Sequence, residues 1–314
     1  LYVAASVPAY VDVTILDEDV EAIDFDCDAD VIGISFMTFC APRAYEIADV
    51  FKKEKSKIVI MGGYHPSFMP EEAIEHADAI CIGEAEKTIS RMFNDIVHVK
   101  LQQFYKSNLI DLKDLPEINR SLIKQGSYFI PDMAQISRGC QHICKFCSIT
   151  KFFNHIYRNR PIDTVIQELK SLGKNILFMD DNLNADREYM KQLLTKMVPL
   201  KKRWTSQCSI DFAFDEELLD LAQKSGCRGV FIGFESLSQS NLQNARKYFN
   251  KVNDYKTVIE NAHNKRIGIF AGVVFGLDDD TPDVFQKTLD FLLDNNVDVL
   301  QPTIMTPFPG TELY

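Results

Sequence analysis

The chain has 314 residues, 46% of them hydrophobic, and a formal net charge of −11 at neutral pH. That length exceeds one domain of common size and fits about two, each with enough apolar residues for a core. The acidic balance gives no basic footprint for nucleic acid, eight cysteines are too few for a disulfide scaffold, and no apolar run approaches the roughly 20 residues that span a bilayer.

No secretory leader opens the chain, and it begins with Leu1 rather than Met, so it reads as a piece of a longer protein. Leu1–Val7 looks like the end of a helix whose preceding strand is missing. Val11–Leu16 and Val31–Phe36 read as strands, the second followed by an amphipathic helix over Pro42–Lys55. Lys57–Met61 runs into Gly62-Gly63, and Ala79–Ile82 runs into Gly83-Glu84. Near-continuous apolar strands separated by helices imply a parallel sheet covered on both faces. Residues 100–132, with Asp114-Leu115-Pro116 and Ile130-Pro131, break the alternation and read as a linker.

A longer strand–helix series follows. Strands are predicted at Ala134–Ser137, Asn175–Met179, Trp204–Cys208, Gly229–Phe234, Gly268–Phe275 and Val297–Ile304. Helices are predicted near Ile162–Leu172, Arg187–Val198, Asp215–Ser225, Val252–Asn264 and Thr281–Asn295. Asp215 and Thr281 suit helix N-caps, and Gly173 and Gly226 sit where C-caps belong. Six such units fall short of a full eight-fold barrel and make an open, partial one. The expected architecture is α/β: an N-terminal domain over residues 1–99, a linker over 100–132, and a partial (β/α)6 barrel over 133–314 whose chain continues past Tyr314.

The sharpest chemical signal is SRGCQHICKFCS, residues 137–148, just after a strand. In a parallel α/β barrel that is the face where active sites form. Thiolates are soft ligands suited to Fe–S or zinc. Cys140, Cys144 and Cys147 can hold three corners of a 4Fe–4S cube, leaving one iron open to a small molecule, with Phe146 shielding it from water. A closed zinc site wants a fourth ligand, for which His142, His155 and Cys208 are available. Such crowding of thiols points to a reducing compartment, so a cytoplasmic location is expected.

The CxxxCxxC pattern with an aromatic before its third cysteine resembles the signature of radical S-adenosylmethionine (SAM) enzymes. In that family SAM chelates the open iron through its amino and carboxylate groups, and electron transfer from the reduced cluster yields a 5′-deoxyadenosyl radical that abstracts hydrogen. The resemblance extends to other positions and implies a SAM site. Asp180, Asp181 and Asn182 stand where the family usually carries a Gly-Gly-Glu stretch for the SAM ammonium. Gly233, Glu235 and Ser236 end the fourth strand, where a carboxylate suits the ribose hydroxyls or methionyl group. Gly272 to Gly276 resembles the stretch lying against the adenine, Ser206 and Cys208 end the third strand, and Phe146 completes the set. Asp180 and Asp181 also read as helix N-terminal charges, Glu235 as a loop carboxylate, Cys208 as core and Arg160 as an anion partner or a surface charge. PFPGTELY, from Pro307, resembles the segment after the sixth strand in the cobalamin-dependent subset.

The first series resembles the Rossmann-like cobalamin (B12)-binding domain that precedes many radical SAM domains, through ISFMTFCAPRA, GGYHPSFMPEEA and ADAICIGEAEKT. Ligands in such folds sit beyond the carboxyl ends of the strands. The resemblance therefore implies corrin contacts at Ser35, Phe36, Met37, Thr38, Gly62, Gly63, Tyr64, His65, Gly83 and Glu84. No Asp-x-His-x-x-Gly motif is present, so cobalamin without histidine ligation is expected.

The reading is a cobalamin-dependent radical SAM enzyme that methylates an unactivated carbon, in a stretch most like hopanoid methylases and thus on a lipid or other small molecule. An electron donor such as flavodoxin or ferredoxin is implied, nucleic acid is not, and membrane contact would be peripheral, through the substrate. Three alternatives stay open: a radical SAM enzyme of ring-forming, rearranging or oxidative type, a tRNA methylthiotransferase, and a non-catalytic cobalamin or zinc binding protein.

Overall fold

The computed structural model describes residues 1–130 and 132–314; Pro131, in the expected linker, lies outside the described residues. Residues 1–130, with Phe308–Gly310 and Tyr314, form one compact unit, and residues 132–307 with Thr311–Leu313 form another.

The first unit runs α1 (Tyr2–Ala5), β1 (Val31–Ser35), α2 (Ala41–Asp49), β2 (Ile58–Gly62), α3 (Tyr64–Phe68), α4 (Pro70–Ala73), β3 (Ala79–Ile82), α5 (Thr88–Val97) and β4 (Phe104–Lys106). The strands pair in parallel in the order β1-β2-β3-β4. Successive residues of β2 serve opposite faces, as strand geometry requires. Val59 and Met61 join Phe36, Ala44 and Ala48 in one core, while Ile60 joins Ile89, Met92 and Tyr105 in the other. Both faces are covered, which is why these strands read as unbroken apolar runs.

Two stretches differ from the sequence reading. Val11–Leu16 is coil, not strand. Every second residue there is exposed and none is buried, so its alternation has no sheet to lie on. The stretch read as a linker contributes β4, whose Tyr105 is fully buried and donates to Asp95 at 2.8 Å.

The second unit runs β5 (Met133–Ala134), β6 (Ser137–Arg138), α6 (Ser148–Phe152), β7 (Arg158–Asn159), α7 (Ile162–Ser171), β8 (Asn175–Phe178), α8 (Arg187–Met197), β9 (Arg203–Cys208), α9 (Glu216–Ser225), β10 (Cys227–Glu235), α10 (Gln239–Asn244), α11 (Tyr255–Asn264), β11 (Gly268–Phe275), α12 (Val284–Asp294) and β12 (Val299–Ile304). Six strands form one parallel sheet in the order β12-β11-β10-β9-β8-β5, the partial (β/α)6 arrangement expected from sequence. Its core is a continuous aliphatic and aromatic cluster around Trp204, Phe178 and Phe212, and the Trp204 indole N–H donates to Ser225 at 3.1 Å. All six residues of edge strand β12 are exposed.

Local signals explain most boundaries. Asp215 caps α9 by accepting from the Leu218 N–H at 3.1 Å, and Gly226 ends it with φ of +99°. Thr281 does not cap α12, which starts at Val284 after Asp283. Gly173 follows α7, and its N–H donates to Asp132 at 2.9 Å. Among the described residues no helix is long and apolar enough to cross a membrane.

Candidate cofactor site

The three crowded cysteines occupy a loop that the fold closes on itself. β6 and β7 pair antiparallel, Ser137 against Asn159 and Arg138 against Arg158, and the segment between carries Cys140, Cys144 and Cys147. Gly139 opens the loop at φ of +88°, and a Cβ there would lie 2.1 Å from the Ile156 carbonyl oxygen. Only glycine fits that crossing. The loop also docks on the end of α10, where Lys145 N–H donates to the Ala245 carbonyl at 3.1 Å. Glu312 of the PFPGTELY segment pairs with Lys151 at 3.3 Å and Arg246 at 2.9 Å.

All three cysteines are free, Cys140 and Cys144 buried and Cys147 half-buried. Burial raises each thiol, Cys144 to about 12, even though the His142 N–H and Asn182 oppose it at Cys140, Lys247 at Cys144, and the Thr150 and Ile149 N–H groups at Cys147. Loading a metal must therefore release protons. Among the described residues no three His, Cys, Asp or Glu converge on one ion. Three free thiols within eight residues of one loop are the donor set that a cube held at three corners requires.

The end of β8 grips this loop residue by residue. Asp180, 4% exposed, accepts from the Ile136 N–H at 3.2 Å and from both the N–H and hydroxyl of Ser137 at 2.5 Å. Asp181 accepts from the Gly139 N–H at 2.9 Å. Asn182 donates through Nδ2 to the Cys140 sulfur at 3.9 Å, while its Oδ1 accepts from the Ser209 N–H at 3.0 Å. Burial lifts the Asp180 carboxyl to about 7 despite its three donors, and burial raises Asp181 as well. These contacts run to the cysteine loop itself, a use the sequence reading did not include.

The end of β10 is built differently. The strand shifts register between Gly233 and Glu235, and Glu235 takes φ of +64°. This is the left-handed region, costly for a residue with a side chain. The Tyr255 hydroxyl and the Asn250 amide hold that turn by donating to the Phe234 carbonyl at 2.7 and 3.2 Å. Glu235 accepts from Lys247 Nζ at 2.5 Å, with both side chains about nine-tenths buried. Burial pulls Lys247 down, but Glu235 and the sulfurs of Cys144 and Cys147 outweigh it, so its ammonium ends raised and stays charged. Lys247 was missed from sequence, because nothing in NARKYFN marks one lysine as buried beside thiols.

The remaining predicted residues lie on β9 and β11, in the cysteine loop and in the segments that follow β7, β10 and β11. Ser206 is buried on β9, and Ser236 accepts from the Ser238 N–H at 3.0 Å. Gly272 lies under the Phe231 ring, 2.5 Å from where its Cβ would be, whereas Gly276 (φ +88°) has only Met305 near, at 4.0 Å. Phe146 is half-buried in the loop. Cys208 belongs to the core. The His142 ring stacks on Phe249 at 3.7 Å, and His155 Nδ1 meets the His142 carbonyl at 3.2 Å. Arg160 pairs with Glu168 at 2.6 Å, both side chains largely buried.

In the first unit the strand ends also meet. Phe36 N–H donates to the Gly62 carbonyl at 3.2 Å, and Gly63 (φ +99°) has no room for a Cβ, which would lie 2.7 Å from the Phe36 carbonyl oxygen. Gly63 thus serves the close approach of two strand ends. His65 is buried, with Nδ1 3.2 Å from the Thr38 hydroxyl and Nε2 3.1 Å from the Tyr45 hydroxyl and 3.3 Å from Glu72. Both ring nitrogens are engaged within the unit. Glu84, also buried, accepts from the Ile110 N–H at 2.7 Å. Met37 and Phe39 are 44% and 71% exposed beside Ser35 and Thr38, so apolar side chains stand open at the end of β1.

The sequence profile described as the Radical SAM superfamily matches residues 134–292, and that of the B12 binding domain matches residues 1–92. The chain is 35% identical to the bacteriochlorophyllide d C-12(1)-methyltransferase of Chlorobaculum tepidum, covering 100% of this chain and 72% of that protein. It is 23% identical to the hopanoid C-2 methylase of Rhodopseudomonas palustris, over 100% of this chain and 62% of that protein. The structure of the radical SAM methyltransferase TsrM from Kitasatospora setae, with cobalamin and a [4Fe-4S] cluster bound, superposes with a TM-score of 0.73 over 92% of this chain and 64% of that one, at 16% identity, which establishes a shared fold. With its cysteine loop at the strand ends of a six-stranded parallel sheet and a B12-binding domain ahead of it, the chain belongs to the radical SAM superfamily.

Proposed function

We propose that this chain is a cobalamin-dependent methyltransferase that acts on an unactivated carbon, with Cys140, Cys144 and Cys147 holding a 4Fe–4S cluster. The observation that supports this most is the loop closed by β6 and β7, with three free thiols beside the buried Lys247 cation. When bound, the cluster and SAM supply a 5′-deoxyadenosyl radical and cobalamin supplies a methyl group. The chain's own residues do the rest. Lys247 counters the negative charge of Cys144 and Cys147. Asp180, Asp181 and Asn182 fix the loop that carries the ligands. Phe146, Ser206, Gly233, Glu235, Ser236, Gly272 and Gly276 line the proposed SAM site, with Gly276 giving the open approach. The ends of β1, β2 and β3 would hold the corrin, and His65, with both ring nitrogens engaged within its unit, would not serve as a ligand to cobalt.

Two relatives, at 35% and 29% identity, are named for methylating bacteriochlorophyllide d, and one at 23% for methylating a hopanoid. A large, apolar small molecule or lipid is the substrate class these names share. A one-electron donor such as flavodoxin or ferredoxin, a cytoplasmic location and peripheral contact with a membrane-held substrate complete the proposal.

The test is anaerobic reconstitution with iron, sulfide and hydroxocobalamin, read by ultraviolet–visible spectra and by 5′-deoxyadenosine release from SAM. Wild type is expected to retain iron and a corrin and to cleave SAM, and Cys144→Ala to lose the iron and the cleavage. Cleavage without a retained corrin would sink the methyl-transfer reading, and iron-free wild type would sink the cluster assignment.

A further inference from the structure

Asn182 is 3% exposed and held from both sides. Its Oδ1 accepts from the Ser209 N–H at 3.0 Å, an N–H shared with Asn184 Oδ1 at 2.8 Å. A carboxamide has one accepting and one donating end. Because an N–H faces the first, the NH2 is the end turned to the Cys140 sulfur at 3.9 Å, the long end of the N–H···S range. The network thus fixes which way this amide points. The residues just before it, past the end of β8, hold the loop upstream of Cys140, with Asp181 accepting from the Gly139 N–H at 2.9 Å.

We propose that Asn182 positions Cys140 and tunes the cluster, donating a hydrogen bond to the ligand sulfur that raises the cluster's reduction potential. This rests on Cys140 being a cluster ligand, as proposed above. Reduction adds negative charge that spreads onto the ligand sulfurs, and a donor aimed at one of them stabilises the reduced state more than the oxidised one. A low-potential one-electron donor then fills the cluster more completely than it would without the amide.

Two measurements test this on the reconstituted full chain, with dithionite as reductant and without SAM. Asn182→Leu keeps the side-chain size and removes the donor. It is expected to retain iron and labile sulfide while its midpoint falls, so that poised at the wild-type midpoint its reduced-to-oxidised ratio drops roughly threefold to tenfold, the size of one net hydrogen bond. In wild type labelled with asparagine carrying 15N at the side-chain amide, the reduced cluster is expected to show a weak nitrogen hyperfine coupling in pulsed electron paramagnetic resonance. An unchanged midpoint in an iron-replete variant overturns the proposal, and so does absence of that coupling in wild type, even where the variant fails to load. Iron-free wild type is a separate result, counting against the cluster assignment itself.

Discussion

The ends of β8 and β10 carry the same kind of residue and use it in opposite ways. Asp180 and Asp181 spend their oxygens on neutral backbone N–H groups and a hydroxyl of the cysteine loop. Glu235 is matched to a buried ammonium, on a backbone turned left-handed. The first arrangement is directional and fixes a chain segment. The second places a charge pair in a poorly solvated spot, where its worth depends on both partners being present. One strand end therefore sets geometry, and the other sets electrostatics.

The comparison breaks most readily at Lys247. Lys247→Met strands the Glu235 carboxylate in the interior, and a stability loss of about 3–5 kcal/mol is expected, partly recovered in the Lys247→Met/Glu235→Leu double variant. Denaturant unfolding of the metal-free protein measures it, and a single variant as stable as wild type would mean that the pair is solvated. At β8, Asp180→Ala orphans the N–H groups of Ile136 and Ser137, for about 1–3 kcal/mol. If the contrast holds, that variant also loosens the loop, seen as faster amide exchange at Ser137 and Gly139, which Lys247→Met leaves alone.

The finest test of the contrast is a slope with pH. Asp180 rises from 3.8 to about 7 on folding, so between those values the folded chain keeps a proton that the unfolded chain has lost. Its contribution is complete below that window and is lost as pH rises through it. Wild type should therefore lose stability relative to Asp180→Asn as pH rises, by at most about 1.4 kcal/mol per pH unit. Unfolding curves of the metal-free pair across the window check the sign, and a slope of the opposite hand would mean that the donors on Asp180 outweigh its burial.

Much of this was legible in the residues. Periodicity gave both parallel sheets, because fully covered strands must be apolar throughout. The cysteine spacing gave the loop, because three soft ligands so close together have few other uses. The burial of Lys247 was not legible, since its surroundings come from β10 and the cysteine loop, far apart in the chain. The use of Asp180 to Asn182 was hidden for the same reason. A carboxylate at a strand end suits a ligand's ammonium or a neighbouring loop's N–H groups equally well, and only the register of β5 against β8 brings residue 136 to residue 180. Val11–Leu16 failed the other way, with a valid alternation and no neighbouring strand.

The short β6–β7 ladder has a consequence for how the protein assembles. It ties the base of the cysteine loop through backbone pairing, so part of the conformational entropy of closing that ring is met within the chain itself. Two residue pairs, Ser137 with Asn159 and Arg138 with Arg158, thus set the span across which all three cysteines are strung.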